Sequence, residues 1–426
     1  MIQELKIKNY LSIKDEITIS FDASNDPFAE DYQVVKINDQ TKLLRFAVVY
    51  GYNASGKSNI YDAFCFLGMF FRIKPTSFNE NTGALPFKFD PISREQPSSF
   101  ELTFFVGNTK YKYSLEVDEK QVYSESLSVY NSSQPTSLFK RSLNGEQSKI
   151  DINPKLKVSK NAKEALEVNC LKNMSFFAAR DQVNGKFPYI DDAREWLVKH
   201  LKRPIDKNTD LMYYAKKKLR DNDDMKKYTL EMLKKADFNI SDIGIEEEYF
   251  SEDVTKQLLS SGLMPIGMIK KIENKERFSH LKATFHHSVE NGGKSQVYSL
   301  DEEIESLGTL RLIGLNVALY EAEKDEGFLA IDEIENSLHP DLLQGLLYNF
   351  LKNNSRSQLF VTTHNDGLLD LTDDLIRKDS VWFVEKNKAG VSDYYKLTDF
   401  KGVNRISSIR SAYRNKRFGA TQFSVK

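Results

Sequence analysis

Residues Gly51-Tyr52-Asn53-Ala54-Ser55-Gly56-Lys57-Ser58 fit the spacing G-x-x-x-x-G-K-[ST], with Asn59 directly behind them. Each residue type suits the holding of phosphate. Gly51 and Gly56 adopt backbone angles that bring N–H groups close to an anion. The Lys57 ammonium reaches β- and γ-phosphates, and the Ser58 hydroxyl ligates Mg²⁺. The pattern predicts a nucleotide site over Gly51–Asn59, with ATP and Mg²⁺ as ligands. Far along the chain, 275 positions after Lys57 (332 − 57), stand Asp332 and Glu333. One carboxylate can hold the metal together with Ser58, and its neighbour can orient or deprotonate the attacking water. We assign Asp332 to the metal and Glu333 to the base. His364 either hydrogen-bonds the γ-phosphate through its imidazole or caps a strand end. Ser306-Leu307-Gly308-Thr309 precede a run of apolar helical period and make a second anion-competent helix N-terminus. One nucleotide needs one such cradle, so a second suggests that the ATP of one subunit is completed by another.

Secondary structure must carry these residues. Leu43–Tyr50 is apolar and β-branched and predicts a buried strand, and Asn59–Arg72 predicts a helix. Phe64–Phe71 within it is too short to span a bilayer and predicts a core helix. Phe328–Ile331 and "LFVTT" (Leu359–Thr363) predict two further buried strands that end at Asp332 and His364. The first residues alternate like two strands around a turn. Phe100–Val106, Tyr111–Val117 and Val122–Tyr130 alternate as antiparallel strands. From Lys160 to about Asp237 the pattern is helical but lacks sustained heptads, which predicts a compact helical subdomain or short arm. "FSHLKATFHH" returns to strand, where His286 and His287 face opposite sides, poorly placed for a shared metal.

Composition narrows the class. The chain has 426 residues, 40% hydrophobic and 28% charged, with net charge −1, so no global field draws it to nucleic acid or membrane. The lack of a long apolar run argues against a membrane span. Cys65 and Cys170 make no disulfide framework, and a cytoplasmic setting follows. Two basic stretches, Lys216-Lys217-Lys218 with Arg220 and the run 400–426 with seven Lys or Arg and no Asp or Glu, either meet phosphate or an acidic partner or are ordinary solvated and packed surface.

These pieces, in this order, resemble ABC-type ATPases of the SMC and RecF kind. "GYNASGKS" matches Walker A, "ESLGT" the signature, "FLAIDE" Walker B, "SLHP" the D-loop and "TTH" the switch histidine. "ESLGTLRLIGL", "IDEIENSLHPDLL" and "DSVWFVEKNKAGVSDYYKLTDFK" look like the RloA-like AAA-family ATPases of abortive-infection and anti-phage systems. The resemblance implies an α/β fold: a P-loop ABC-type head with a mixed β-sheet, flanking helices, an antiparallel β lobe and a helical insertion. The expected domains are 1–150 for the first part of the head, 151–275 for the insertion and 276–426 for the second part. It further implies head-to-tail association as a homodimer or higher homo-oligomer. Ser306, Gly308 and Thr309 would meet the γ-phosphate held at a partner's Lys57, and Ser337 and His339 would line the same interface. Two departures matter. The signature is LGT in place of the transporter-like GGQ, and Q-loop glutamines are represented only by Gln96 and Gln121, by position.

Only 62 residues follow His364 (426 − 364), and "DSVWFVEK" and "DYYKLTDF" look like closing strands of the head. A metal-dependent nuclease needs carboxylates on a fold of its own, so none is read here. The expected function is an ATP-hydrolysing switch controlling an effector encoded nearby. The alternatives are a RecF/SMC-like DNA-repair or DNA-binding ATPase and a scaffold that turns ATP over slowly.

Overall fold

The computed structural model describes residues 1–236, 239–250 and 279–421. Asp237 at the end of the expected helical stretch, Phe278 of the expected strand, all of 251–275 and the residues from 422 onward lie outside that range. β1 (Ile2–Lys8) and β2 (Ile17–Ser20) form the expected antiparallel pair, with Leu5 opposite Ile19. β3 (Val34–Lys36) and β4 (Lys42–Leu44) make a short ribbon, followed by β5 (Phe46–Tyr50). The expected single strand Leu43–Tyr50 is thus broken at Arg45. The cause is charge. Arg45 is only 1% exposed and turns its guanidinium onto the carbonyls of Tyr32 (2.9 Å), Phe350 (3.2 Å) and Leu351 (3.3 Å), and onto the hydroxyl of Ser355 (3.0 Å). Phe350 and Leu351 end the helix Pro340–Lys352, where a cation is favoured by the helix dipole.

β6 (Ser98–Val106), β7 (Thr109–Val117), β8 (Val122–Tyr130), β9 (Thr136–Asn144) and β10 (Gln147–Ile152) form a meander. β6 pairs back on β1, which completes a seven-stranded antiparallel sheet of order β10-β9-β8-β7-β6-β1-β2. The helices Lys160–Asn169, Phe176–Arg180 and Ile190–Glu195 belong to the same compact unit. Phe176 stacks on Phe139 of β9 at 3.7 Å and Trp196 on Phe104 of β6 at 5.0 Å.

The chain divides into two compact units, one of Met1–Lys207, Glu321–Asn336 and Leu347–Lys426, the other of Asn208–Tyr320 and Ser337–Leu346. These cut the chain at other positions than 150 and 275. The second unit holds the helices Leu211–Asp221 and Asp223–Lys235 and a three-stranded antiparallel sheet of β11 (Ile240–Tyr249), β12 (Ser279–Asn291) and β13 (Lys294–Asp301). The helical stretch is divided at Asn222, whose side chain accepts the Met225 N–H at 3.0 Å and starts a new helix as its N-cap.

In the first unit, β14 (Phe328–Ile331), β15 (Gln358–Thr363), β5 and β16 (Val381–Lys386) lie parallel, and β17 (Ser392–Lys396) returns antiparallel, in the order β14-β15-β5-β16-β17. The helix Lys57–Phe70 lies between this sheet and the antiparallel one. Phe64 meets Phe328 and Phe360 at 4.6 and 5.3 Å, whereas Phe66 meets Phe100 at 5.0 Å and Phe71, just past the helix, meets Tyr113 at 5.1 Å. A helix apolar on most sides must be buried on most sides. The architecture is α/β, a mixed sheet with flanking helices joined to an antiparallel β lobe, as the sequence predicts.

Arg45→Ala would strand several buried carbonyls. It is expected to lower the unfolding free energy by about 2–4 kcal/mol, read as an earlier urea midpoint. An unchanged midpoint would mean that water satisfies those carbonyls.

Candidate active site

Parallel register gathers the site. Ile331 of β14 stands opposite Val361 of β15, and Thr363 stands opposite Tyr50 of β5. Gly51, Asp332 and His364, which follow these strands, therefore leave the sheet from one carboxyl edge, the edge at which open α/β sheets hold ligands.

After Tyr50 the backbone turns through Ala54 (φ 65°) and Gly56 (φ 112°), and the helix begins at Lys57. Gly51 is packed so tightly that a Cβ would lie 2.5 Å from Ser55 Oγ and 2.7 Å from Val384 Cγ1. The Lys57 ammonium donates to the carbonyls of Gly51 (2.7 Å) and Tyr52 (3.1 Å), so it lies across the mouth of its own loop. Burial lowers its pKa to about 8, against the opposing pull of Asp332, Glu333 and Glu335. Tyr52 is engaged with β16, its hydroxyl donating to the Lys386 carbonyl at 2.9 Å. Asn53 and Ala54 are exposed, and Ser55 is buried. Asn59 directs its amide to Ser12 Oγ.

The Ser58 hydroxyl donates to the two Asp332 carboxylate oxygens at 2.9 and 3.1 Å. Thr362 holds the pair from beneath, donating its hydroxyl to Asp332 Oδ1 and accepting the Glu333 N–H at 2.9 Å. Glu333 adopts φ 49°, a left-handed conformation uncommon outside glycine, which turns the chain sharply at the strand end. Its Oε1 is 3.4 Å from His364 Nε2 and its Oε2 is 3.8 Å from Lys207 Nζ. Glu335 accepts the His364 N–H. A hydroxyl and a carboxylate within hydrogen-bond reach form the hard oxygen set that Mg²⁺ takes, with remaining positions for water and phosphate. Buried Lys57 beside a positive-φ glycine fits the nucleotide.

Several residues of this site carried no local sequence signal. Residues 201–205 run parallel to β14 on its outer edge. Ile205 pairs with Ile331 and its carbonyl accepts the Asp332 N–H at 2.8 Å. That pairing delivers Asp206 and Lys207 to the site. Burial, and then the charges of Asp332 and Asp206, push the Asp62 carboxyl up to about 6. Gln96 lends its carbonyl to Asn9 (2.8 Å), and Gln121 its N–H to the Asp118 carboxylate (2.8 Å), both in connections that flank strands of the antiparallel lobe.

Ser306, Gly308, Thr309, Ser337 and His339 lie in the second unit. Ser306 Oγ accepts the Thr309 N–H at 3.0 Å and lies 2.8 Å from Thr309 Oγ1, and so caps the helix Leu307–Lys324. A Cβ on Gly308 would lie 2.8 Å from the Ser337 carbonyl, so these two segments are in close contact. Ser337 has φ 60°, and His339 is exposed with Nδ1 3.5 Å from the Asp341 carboxylate. His286 and His287 bond to different partners, Ser299 (2.9 Å) and Glu305 (2.6 Å), and no cluster of metal-binding side chains occurs among the described residues.

Residues 46–370 match the family described as "AAA domain, putative AbiEii toxin, Type IV TA system". The match spans most of the chain, which therefore belongs to this family of AAA-domain proteins. No curated protein matches. Among solved structures, the SMC head domain from Thermotoga maritima is similar at 14% identity and a TM-score of 0.42, over 93% of this chain and 98% of that one. An SMC head bound to the C-winged helix domain of ScpA is similar at 14% identity and a TM-score of 0.45, over 94% and 99%. Likeness at this level carries no weight beside the topology described above. No described helix is long and apolar enough to cross a membrane.

Thr362→Val keeps the shape of the side chain and removes both bonds that orient the acidic pair. Supporting residues of this kind shift metal affinity by roughly tenfold or more. The Mg²⁺ concentration that half-saturates nucleotide binding is expected to rise by about that factor; an unchanged Mg²⁺ titration would remove Thr362 from the site.

Proposed function

We propose that this chain binds and hydrolyses ATP and acts as a switch that controls an effector protein in an anti-phage, abortive-infection-like defence system. The carrying observation is the convergence of Lys57, Ser58, Asp332, Glu333 and His364 at one sheet edge. In this reading Gly51–Asn59 hold the phosphates, Ser58 and Asp332 hold Mg²⁺, Glu333 takes the proton of the attacking water, and His364 orients Glu333 or the γ-phosphate. The bound metal supplies charge stabilisation at the phosphates. The family description, which names an AbiEii toxin and a type IV toxin–antitoxin system, supports the defence setting.

Head-to-tail association is part of the proposal. Ser306, Gly308 and Thr309 of one chain would complete the site at Lys57 of another, with Ser337 and His339 beside them. Leu307 is 76% exposed within the signature, as is Ile304 (68%) just before it, and apolar side chains at such a position suit a surface that another chain covers. The basic stretches give the DNA-binding alternative little support. Arg410 and Arg414 pair with Asp366 at 3.1 Å and closer, Arg410 also with Asp370 at 2.6 Å, and Lys216 with Glu302 at 2.8 Å.

Glu333→Gln keeps size and loses the base. It is expected to bind ATP, to hydrolyse it at least about a hundredfold more slowly, and to accumulate the joined-head species in sedimentation with ATP. Wild-type turnover would assign water activation elsewhere. Lys57→Ala and Ser306→Arg should each be inactive alone. Mixed and allowed to exchange, they should regain part of the phosphate release, because a mixed dimer holds one site with both residues intact. No recovery despite exchange confirmed by tag pull-down would count against independent composite sites. Turnover stimulated by duplex DNA, with no effector copurifying, would favour the repair reading.

A further inference from the structure

We propose that the hairpin β16–β17 presets the phosphate loop, with Ser392 and Tyr394 as positioning residues that aim the N–H groups of Gly56 and Lys57 into the cradle. The inference rests on the nucleotide reading of that loop. Ser392 Oγ donates to the Ser55 carbonyl at 2.6 Å, and Tyr394 Oη donates to the Gly56 carbonyl at 2.7 Å. In a planar trans peptide the carbonyl and the next N–H point in opposite directions. A donor fixed on the Ser55 carbonyl therefore turns the Gly56 N–H to the other side, and a donor on the Gly56 carbonyl does the same to the Lys57 N–H. A phosphate loop binds its anion with such N–H groups.

The first of these bonds has a defined polarity. Ser392 has one hydroxyl proton, committed to Ser55. At its 2.6 Å contact with Ser12 Oγ the proton must therefore come from Ser12. Ser12 in turn accepts from Asn59 Nδ2. The relay Asn59→Ser12→Ser392→Ser55 runs in one direction, and bonds in such a chain reinforce one another. The Ser392 N–H also donates to the Ser12 carbonyl at 2.8 Å. Two segments 380 residues apart are thus fastened to one peptide unit of the loop. Gly56 is part of the same fit. At φ 112° it occupies a glycine conformation, and a Cβ there would lie 2.9 Å from Ser12 Oγ and run into Ser392 Oγ.

Strand geometry supplies the control. Ser392 and Tyr394 share a face of β17, and Tyr395 points to the other, where its hydroxyl donates to the Phe418 carbonyl at 2.8 Å. Tyr395→Phe thus removes the same kind of bond from the same hairpin without touching the loop.

The test is calorimetric titration of Mg-ATP and of ADP into wild type, Ser392→Ala, Tyr394→Phe and Tyr395→Phe, with thermal unfolding of each and steady-state kinetics. Losing one preset contact should weaken nucleotide binding by about 3- to 10-fold in Ser392→Ala and in Tyr394→Phe. The loss should fall on KM more than on kcat, because the cradle serves ground and transition states alike. Tyr395→Phe should lose thermal stability to a similar degree and bind like wild type. Wild-type affinity in Tyr394→Phe, which removes a single atom and leaves packing intact, overturns the proposal. So does equal weakening by Tyr395→Phe, since the effect would then be general loosening of the hairpin. A wild-type protein that binds neither nucleotide overturns the ATPase reading itself, a result distinct from both.

Discussion

The helix Lys57–Phe70 has almost no side to give to water, and the first unit is organised around hiding it. Phe64 needs the parallel sheet, Phe66 and the adjoining Phe71 need the antiparallel one, and those sheets come from segments hundreds of residues apart. Fully burying one large apolar side chain is worth roughly 1.5–3 kcal/mol, so three aromatics alone outweigh most single polar contacts in the unit. The mouth of the phosphate loop is the N-terminus of this same helix. Anchoring the helix in the core therefore places the dipole and the free N–H groups of its first turn immovably at the sheet edge.

Joining two sheets in one core buries polar groups as well, and two sets of them are well partnered. Gln358 accepts the Ile2 N–H at 2.6 Å and donates to the carbonyls of Ile2 and Leu44 at 2.9 and 3.0 Å, which closes the seam between the sheets. Glu125 and Arg141, both essentially inaccessible, meet at 2.9 Å. Tyr113 and the Phe176 N–H also donate to Glu125, and Arg141 donates to the carbonyls of Leu171 and Met174. A buried ion pair repays its desolvation only with such added bonds. Here the pair ties the segment 171–176 to the antiparallel sheet.

The chemistry stands on strand ends rather than on free loops. Asp332 is held by Ser58, Thr362 and the Ile205 carbonyl, leaving its carboxylate little freedom. Glu333 is less constrained, with His364 Nε2 at 3.4 Å and the Lys207 ammonium at 3.8 Å. That contrast suits a metal ligand, which must stay still, beside a base, which must meet a water that moves with the reaction.

Local chemistry was readable in the residues one after another. The loop Gly51–Ser58, the strands ending in Asp332 and His364, the antiparallel run of β6, β7 and β8 and the cap at Ser306 all lie within a few neighbours of their own signals, because backbone angles and side-chain alternation are short-range properties. The break at Arg45 and the second helix start at Asn222 escaped because a buried cation and a cap are recognised only with their partners in place. Ser12, Ser392 and Tyr394 escaped for a stronger reason. A serine or tyrosine on a strand carries no mark of which carbonyl it will meet, and their partners are set by parallel and antiparallel pairings between distant segments. Lys207 and Asp206 reach the site the same way, through one edge pairing with β14. Residue type decided which chemistry was available; the pairing of strands, driven by burial of one helix, decided which residues would carry it out together.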